Sequence, residues 1–215
     1  MTMKTLLVAL FVLLTACGHT PFHRHTVVVE RFDGAQGTGW FIASDSERSI
    51  VATAGHVCGD ESQLHVTDAN GEKRIGTVEY MVEDDSVGLD ACLIVVGGPA
   101  VRVVRVGSLS DEFGTRVWYT GYPQGTRFVT YGMLSQTKGG IGSELTEYAV
   151  FSGPVAGGAS GSPIMSMDDH VVSIVIAGHR GFHEISLGVP NHHMAELQRR
   201  ADQQLREQRD ANLAP

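Results

Sequence analysis

Short runs of β-branched and aromatic residues recur along this chain between clusters of Gly, Asn, Asp and Pro. Such runs read as strands and the clusters between them as turns. Residues 27–29, 38–42, 49–53, 63–66, 74–80 and 92–96 form a first set. Between the fourth and fifth lies Asp68-Ala69-Asn70-Gly71, whose Asn-Gly pair is a strong hairpin turn. Residues 116–120, 128–135, 148–152, 164–166, 171–176 and 185–189 form a second set. Two sets of about six short strands predict an all-β chain of two six-stranded antiparallel β-barrels, one over about 27–105 and the other over about 106–191. Two stretches break the pattern. Met194, Leu197, Ala201 and Leu205 recur at helical spacing. They predict a C-terminal helix over about 191–205 that packs on the second barrel, with residues 206–215 fraying beyond it. Residues 6–14 form an apolar run without a charge.

That apolar run follows Lys4 and is too short to span a bilayer comfortably, so residues 1–16 read as a signal peptide. It ends in Leu14-Thr15-Ala16-Cys17, which resembles the lipobox of bacterial lipoproteins. The resemblance implies cleavage before Cys17 and acylation of its sulfur and new amino group. Residues 17–26 would then tether a soluble domain to a bacterial membrane, facing the periplasm. Without acylation of Cys17 the same segment is a plain secretory signal and the product is secreted. Cys58 and Cys92 then remain as an even pair in an oxidising compartment, open either to a disulfide or to burial as free thiols. A formal net charge of −8, with no basic stripe, excludes nucleic acid as a partner. His23, His25, His179, His183, His192 and His193 show no metal-ligand spacing and read as surface residues, so no metal or cofactor is expected.

The densest chemical signal is Gly158-Ala159-Ser160-Gly161-Ser162-Pro163. Glycines on both sides of Ser160 suit a tight turn that must approach a substrate carbonyl closely. A serine hydroxyl attacks poorly unless a base takes its proton. Thr53-Ala54-Gly55-His56 supplies a histidine after a β-branched strand, and Asp90 stands just before the apolar run 91–96. His56, Asp90 and Ser160 therefore read as an acyl-transfer triad, with the backbone N–H groups of Gly158 and Ser160 as oxyanion donors. Asp84 and Asp85 are weaker candidates for the acid because they sit in an acidic turn, and Ser162 lacks the glycine two positions before it.

These motifs together resemble the trypsin-like (chymotrypsin-fold) serine proteases, nearest the bacterial HtrA/Deg and glutamyl endopeptidase types. The likeness runs from about Val27 to Leu197. It includes Gly37-Thr38-Gly39-Trp40-Phe41-Ile42, Val106-Gly107-Ser108, Gly121-Tyr122-Pro123-Gln124-Gly125 and the strand 128–135. The resemblance implies a cleft between the barrels and protein or peptide substrates. It also implies a specificity pocket among residues 154–157, 176–178 and 187–188, with Pro154, Ile176, Ala177, Gly178 and Leu187 its main members. Pro154 stands where trypsins carry the pocket aspartate and Val175 where glutamyl endopeptidases carry a histidine, so a small or medium apolar residue is expected before the cut. Ala159 replaces the aspartate that pairs with a freed N-terminus in trypsin zymogens, which excludes that switch. No peptide-sensing domain is expected after the protease-like stretch. The alternative function is a catalytically silent envelope lipoprotein that keeps the fold as a binding module. An α/β-hydrolase esterase is disfavoured because its histidine comes last in the chain. The oligomeric state has no signature in the sequence.

Overall fold

The computed structural model describes residues 24–108, 114–136, 148–178 and 185–213. The signal-peptide stretch, Cys17, His23, His179 and His183 lie outside them. The first half forms β1 (Thr26–Glu30), β2 (Gln36–Ser44), β3 (Arg48–Thr53), β4 (Gln63–Thr67), β5 (Lys73–Asp84) and β6 (Leu89–Gly97). These strands close on themselves in the order β1-β2-β3-β6-β5-β4, each pair antiparallel. The second half forms β7 (Thr115–Gly121), β8 (Phe128–Gln136), β9 (Ala149–Ser152), β10 (Pro163–Ser166), β11 (Val171–Gly178) and β12 (Ile185–Gly188). They close in the order β10-β11-β12-β9-β8-β7. Two six-stranded antiparallel barrels are thus present as expected, and closure leaves neither with a long free edge.

Local chemistry accounts for the turns. In the β4–β5 hairpin, Gly71 takes φ +83° and donates to the Asp68 carbonyl at 2.9 Å. The Asp68 carboxylate accepts the Asn70 N–H at 2.8 Å. The side chain that initiates the turn therefore also satisfies its backbone.

The apolar side chains form two clusters. One fills the second barrel with Tyr119, Leu134, Phe151 and Ile164, the rings of Tyr119 and Phe151 meeting edge to face at 5.7 Å. The other begins inside the first barrel with Trp40, Phe41, Ile50, Leu64 and Ile94. It continues through Trp118, Met165, Ile174 and Ile176 of the second barrel to Met194, Leu197 and Ala201. The two barrels are therefore packed on one shared core. The connection between them is held to it: Trp40 Nε1 donates to the Val104 carbonyl at 3.3 Å, and Val104 N–H donates to Phe41 at 2.9 Å.

The C-terminal helix differs from its expected form in two ways. It runs from Asn191 to Leu213, past the expected end near Arg206. It also crosses β2, β3 and β6 of the first barrel as well as β11, instead of resting on the second barrel alone. The extension has a polar cause. The Arg48 guanidinium on β3 donates to the Gln208 side chain at 3.0 Å and to its backbone carbonyl at 3.3 Å. Turns without an apolar stripe are thereby fastened to the barrel. His25 also departs from its surface assignment: it is buried, its ring 6.3 Å from that of Trp118.

Because Leu197 belongs to the shared core, Leu197→Ala is expected to lower unfolding free energy by about 2–5 kcal/mol. Glu207→Ala, on the exposed outer turns, should cost no more than about 0.5 kcal/mol. Urea titration of both variants checks this, and equal losses would show that the helix is not part of the core.

Candidate active site

The end of β3 delivers the chain into a single helical turn, Gly55–Cys58, on which His56 sits. Gly59 closes the turn, with φ +54° and its N–H on the Gly55 carbonyl at 3.0 Å. Asp90 lies within β6 and not ahead of it, and its carboxylate holds His56 at two points. One oxygen accepts the His56 backbone N–H at 2.9 Å, and the other lies 2.6 Å from Nδ1 of the ring. Gly55 makes this approach possible. A Cβ at Gly55 would stand 2.8 Å from the Asp90 carboxylate and 2.6 Å from the Val82 carbonyl. The side chain of His56 is 41% exposed and that of Asp90 only 16%, so the acid is sheltered and the imidazole reaches solvent.

The Asp90 hydrogen bond raises the His56 pKa above its usual value, the carboxylate's charge and that of Glu83 adding to it and burial opposing it. The alternative acids are engaged elsewhere or exposed: Asp84 accepts the Ser86 N–H at 3.0 Å within its own turn, and Asp85 is exposed. Cys58 ends the helical turn and Cys92 lies two residues beyond Asp90. A disulfide joins them, with Cα atoms 6.5 Å apart. It ties the element carrying His56 to the strand carrying Asp90, although His56 and Cys58 share a helical turn and not a strand face.

The nucleophile candidate sits on a turn built from glycine. Gly158 has φ +92° and Gly161 has φ +85°. A Cβ at Gly161 would overlap the Thr38 carbonyl and the Thr53 hydroxyl, both from the first barrel. The Ser160 carbonyl accepts the Thr38 N–H at 2.8 Å, and the Gly158 carbonyl accepts the Thr38 hydroxyl at 2.8 Å. Gly37 fits between Val57, the neighbour of His56, and the Ser160 carbonyl. The two halves of the candidate site thus meet at the junction of the barrels. Ser160 is half-buried, whereas Ser162 is fully buried against Gly121.

The carbonyl of Gly157 accepts the Gln124 N–H at 2.7 Å. In a trans peptide the next N–H points the opposite way, so Gly158 N–H faces away from Gln124. Among the described residues, neither that N–H nor the one of Ser160 donates a hydrogen bond. Two backbone donors thus stand unused beside the serine.

The expected pocket residues divide. Ala177 and Gly178 are exposed at the end of β11, and Leu187 on β12 pairs with Ala177. The Ile176 side chain instead packs into the core shared by the barrels. Pro154 is exposed, its carbonyl accepting the Tyr119 hydroxyl at 2.7 Å. Thr38, Thr53 and Gln124 were not singled out by the sequence. Thr38 lies inside a quoted glycine motif, and that placement is the one signal that pointed to it.

A model of the trypsin-like peptidase domain matches residues 37–174. Over 184 residues the chain is 25% identical to proteins named "probable periplasmic serine endoprotease DegP-like" from Chlamydia muridarum and Chlamydia trachomatis. The match covers 80% of this chain and 34% of each relative, so the chain spans about a third of their length. Among solved structures, an inactive form of a serine-to-alanine mutant of Rv3671c from M. tuberculosis H37Rv superposes with TM-score 0.68 at 18% identity, covering 87% of this chain and 93% of that one. The serine endoprotease from Yersinia pestis gives TM-score 0.65 at 18% identity, covering 83% and 63%. At that identity the two structures share the fold.

Two measurements test the site's construction. In an NMR titration, His56 should titrate above the usual imidazole value of about 6.5, and Asp90→Asn should bring it down. A raised imidazole pKa adds stability below about pH 6.5 that disappears as pH rises through the folded value. An unchanged His56 titration in Asp90→Asn would contradict the two-point hold. Second, replacing both Cys58 and Cys92 by Ser should lower unfolding free energy by about 2–4 kcal/mol. Denaturant curves with and without a thiol reductant must converge for that variant and differ for the wild type.

Proposed function

This chain belongs to the trypsin-like peptidase domain family, and from that premise we propose that it is a serine endopeptidase that works through an acyl-enzyme. The observation that carries the reading is the two-point hold of Asp90 on His56, at 2.9 Å and 2.6 Å. A carboxylate on Nδ1 fixes the tautomer that leaves Nε2 free to accept a proton, and it stabilises the imidazolium that forms. In the proposed cycle, Ser160 Oγ attacks the scissile carbonyl as His56 takes its proton. The developing oxyanion is received by the N–H groups of Gly158 and Ser160, a donor of this kind being worth about 3 kcal/mol. His56 then protonates the leaving amine, and water, deprotonated by His56, releases the acyl group from Ser160.

The same proposal includes a pocket formed by Pro154, Ala177, Gly178 and Leu187, together with the backbone of Ile176, that receives an apolar side chain. It also includes anchoring to a bacterial membrane through a lipid on Cys17, which would confine the enzyme to protein and peptide substrates of the cell envelope. The lipobox-like Leu14-Thr15-Ala16-Cys17 supports the anchor.

A fluorophosphonate probe applied to the signal-less protein tests the chemistry. The wild type should be labelled and Ser160→Ala should not. The wild-type rate should climb with pH through a pKa above about 6.5, because only the neutral imidazole acts as a base. Asp90→Asn should lose up to ~10⁴-fold in peptide turnover. A wild type that folds but is not labelled would favour the silent binding module. Equal labelling of both proteins would remove Ser160 as nucleophile.

A further inference from the structure

The outer face of β8 breaks the alternation that its barrel imposes. One side of each barrel strand fills the interior, and the other is expected to be polar where it meets water. Thr130 and Leu134 are buried. Val129, Tyr131 and Met133 alternate with them and are exposed, Tyr131 by 67% and Met133 by 50%. Phe128, at the head of the strand, is exposed as well. Across the ladder Tyr131 faces Trp118 and Met133 faces Arg116. Trp118 is covered by the core that the barrels share, so the exposed strip begins where that cover ends. No acidic residue occurs on β7, β8, β9 or the turn 122–127, in a chain of formal net charge −8. Arg116 and Arg127, at the two ends of the strip, are exposed.

Contiguous exposed apolar side chains rimmed by polar groups mark a docking surface, whereas single ones need no explanation. Position and charge say what docks here. The His25 ring lies 6.3 Å from that of Trp118, so the chain enters the fold beside the strip. Only eight residues lead from Cys17 to His25, a span of at most about 29 Å when fully extended. A lipid on Cys17 would therefore keep the strip near a bilayer surface. Aromatic and aliphatic side chains suit the boundary between headgroups and acyl chains, and arginines beside them suit anionic headgroups. We infer that the outer face of β8 docks on a bilayer surface that carries anionic lipid, through Val129, Tyr131 and Met133 with Arg116 and Arg127 at its ends. The inference rests on the lipid-anchor part of the proposed function and adds a second contact that orients the domain. Gln124, in the turn that leads into β8, donates to the Gly157 carbonyl at 2.7 Å, so the docked face borders the serine turn.

The test uses the protein from residue 17 onward with Cys17→Ser, so that no lipid contributes. Co-sedimentation with vesicles of equimolar phosphatidylglycerol and phosphatidylcholine gives its partition coefficient. Adding Tyr131→Ser and Met133→Ser together should lower that coefficient at least tenfold, a change that corresponds to roughly two methylenes of transfer free energy. Arg116→Gln with Arg127→Gln should weaken binding to these vesicles severalfold and flatten its salt dependence, while leaving binding to pure phosphatidylcholine unchanged. An environment-sensitive dye on Tyr131→Cys should brighten and shift to the blue with the anionic vesicles. The same dye on Ile75→Cys, an exposed apolar site on the first barrel, should not respond. A folded protein that does not bind the vesicles, equal binding by the serine variant, or an equal dye response at position 75 overturns the docking face. Self-association that the serine variant abolishes, without vesicle binding, overturns it in favour of a second copy of the chain. The anchor is read separately, by fractionation of cells expressing the full chain. If Cys17→Ser leaves the membrane-bound share unchanged, the anchor reading fails while the vesicle result stands.

Discussion

Thr38 is the hinge pin between the two barrels, and the candidate site depends on it. Its N–H donates to the Ser160 carbonyl at 2.8 Å, and its hydroxyl donates to the Gly158 carbonyl at 2.8 Å while accepting the Tyr122 N–H at 2.9 Å. Its own carbonyl accepts the Thr53 hydroxyl at 2.7 Å. One fully buried residue of β2 thus holds the serine turn and the loop before β8, and receives a bond from the strand that leads to His56. The apolar core shared by the barrels brings them together, but apolar burial is non-directional. Directional bonds to a single threonine fix the registry. The glycine at position 161 follows from the same contact, since any side chain there would occupy the space of the Thr38 carbonyl.

Around that pin, different interactions have different tasks. The disulfide and the shelter of Asp90 keep the histidine-bearing turn against β6, so the first barrel presents the imidazole as one preassembled unit. The second barrel presents the serine turn through positive-φ glycines that no larger residue would tolerate without strain. Neither barrel holds the whole arrangement. The long helix then crosses both, with Met194, Leu197 and Ala201 in the shared core and Gln208 bound to Arg48.

Much of this was legible in the chain before folding. Strand patterns and the Asn70-Gly71 turn are local signals, and among the described residues twelve strands form where they point. The pairing of His56 with Asp90 and the glycine turn around Ser160 were equally visible, because a tight turn imposes local backbone demands. Legibility failed where a role depends on a distant partner. Thr38 reads as one more β-branched strand residue until Ser160, Gly158, Tyr122 and Thr53 are brought to it. The apolar stripe alone predicts fraying after Arg206, because Arg48, the partner of Gln208, lies far away in sequence. His25 was read as a surface tether residue, yet it is buried beside Trp118. Family correspondence puts Ile176 at the pocket, whereas its side chain packs into the core.

The serine turn and the segment just before it are held differently. Gly158, Ser160 and Gly161 are bonded through their backbones to Thr38, Thr38 and Val175 respectively, so their positions are fixed by strands of both barrels. Val155 lies only three to six residues away, but among the described residues its backbone makes no such bond, and its side chain lines a cavity. Substitution at Val155 therefore leaves in place the backbone bonds that orient the serine turn. Substitution at Thr38 or Gly161 alters the orientation itself. The serine turn is thus fixed by backbone bonds from strands of both barrels, while the side chain of Val155, a few residues before it, lines a cavity.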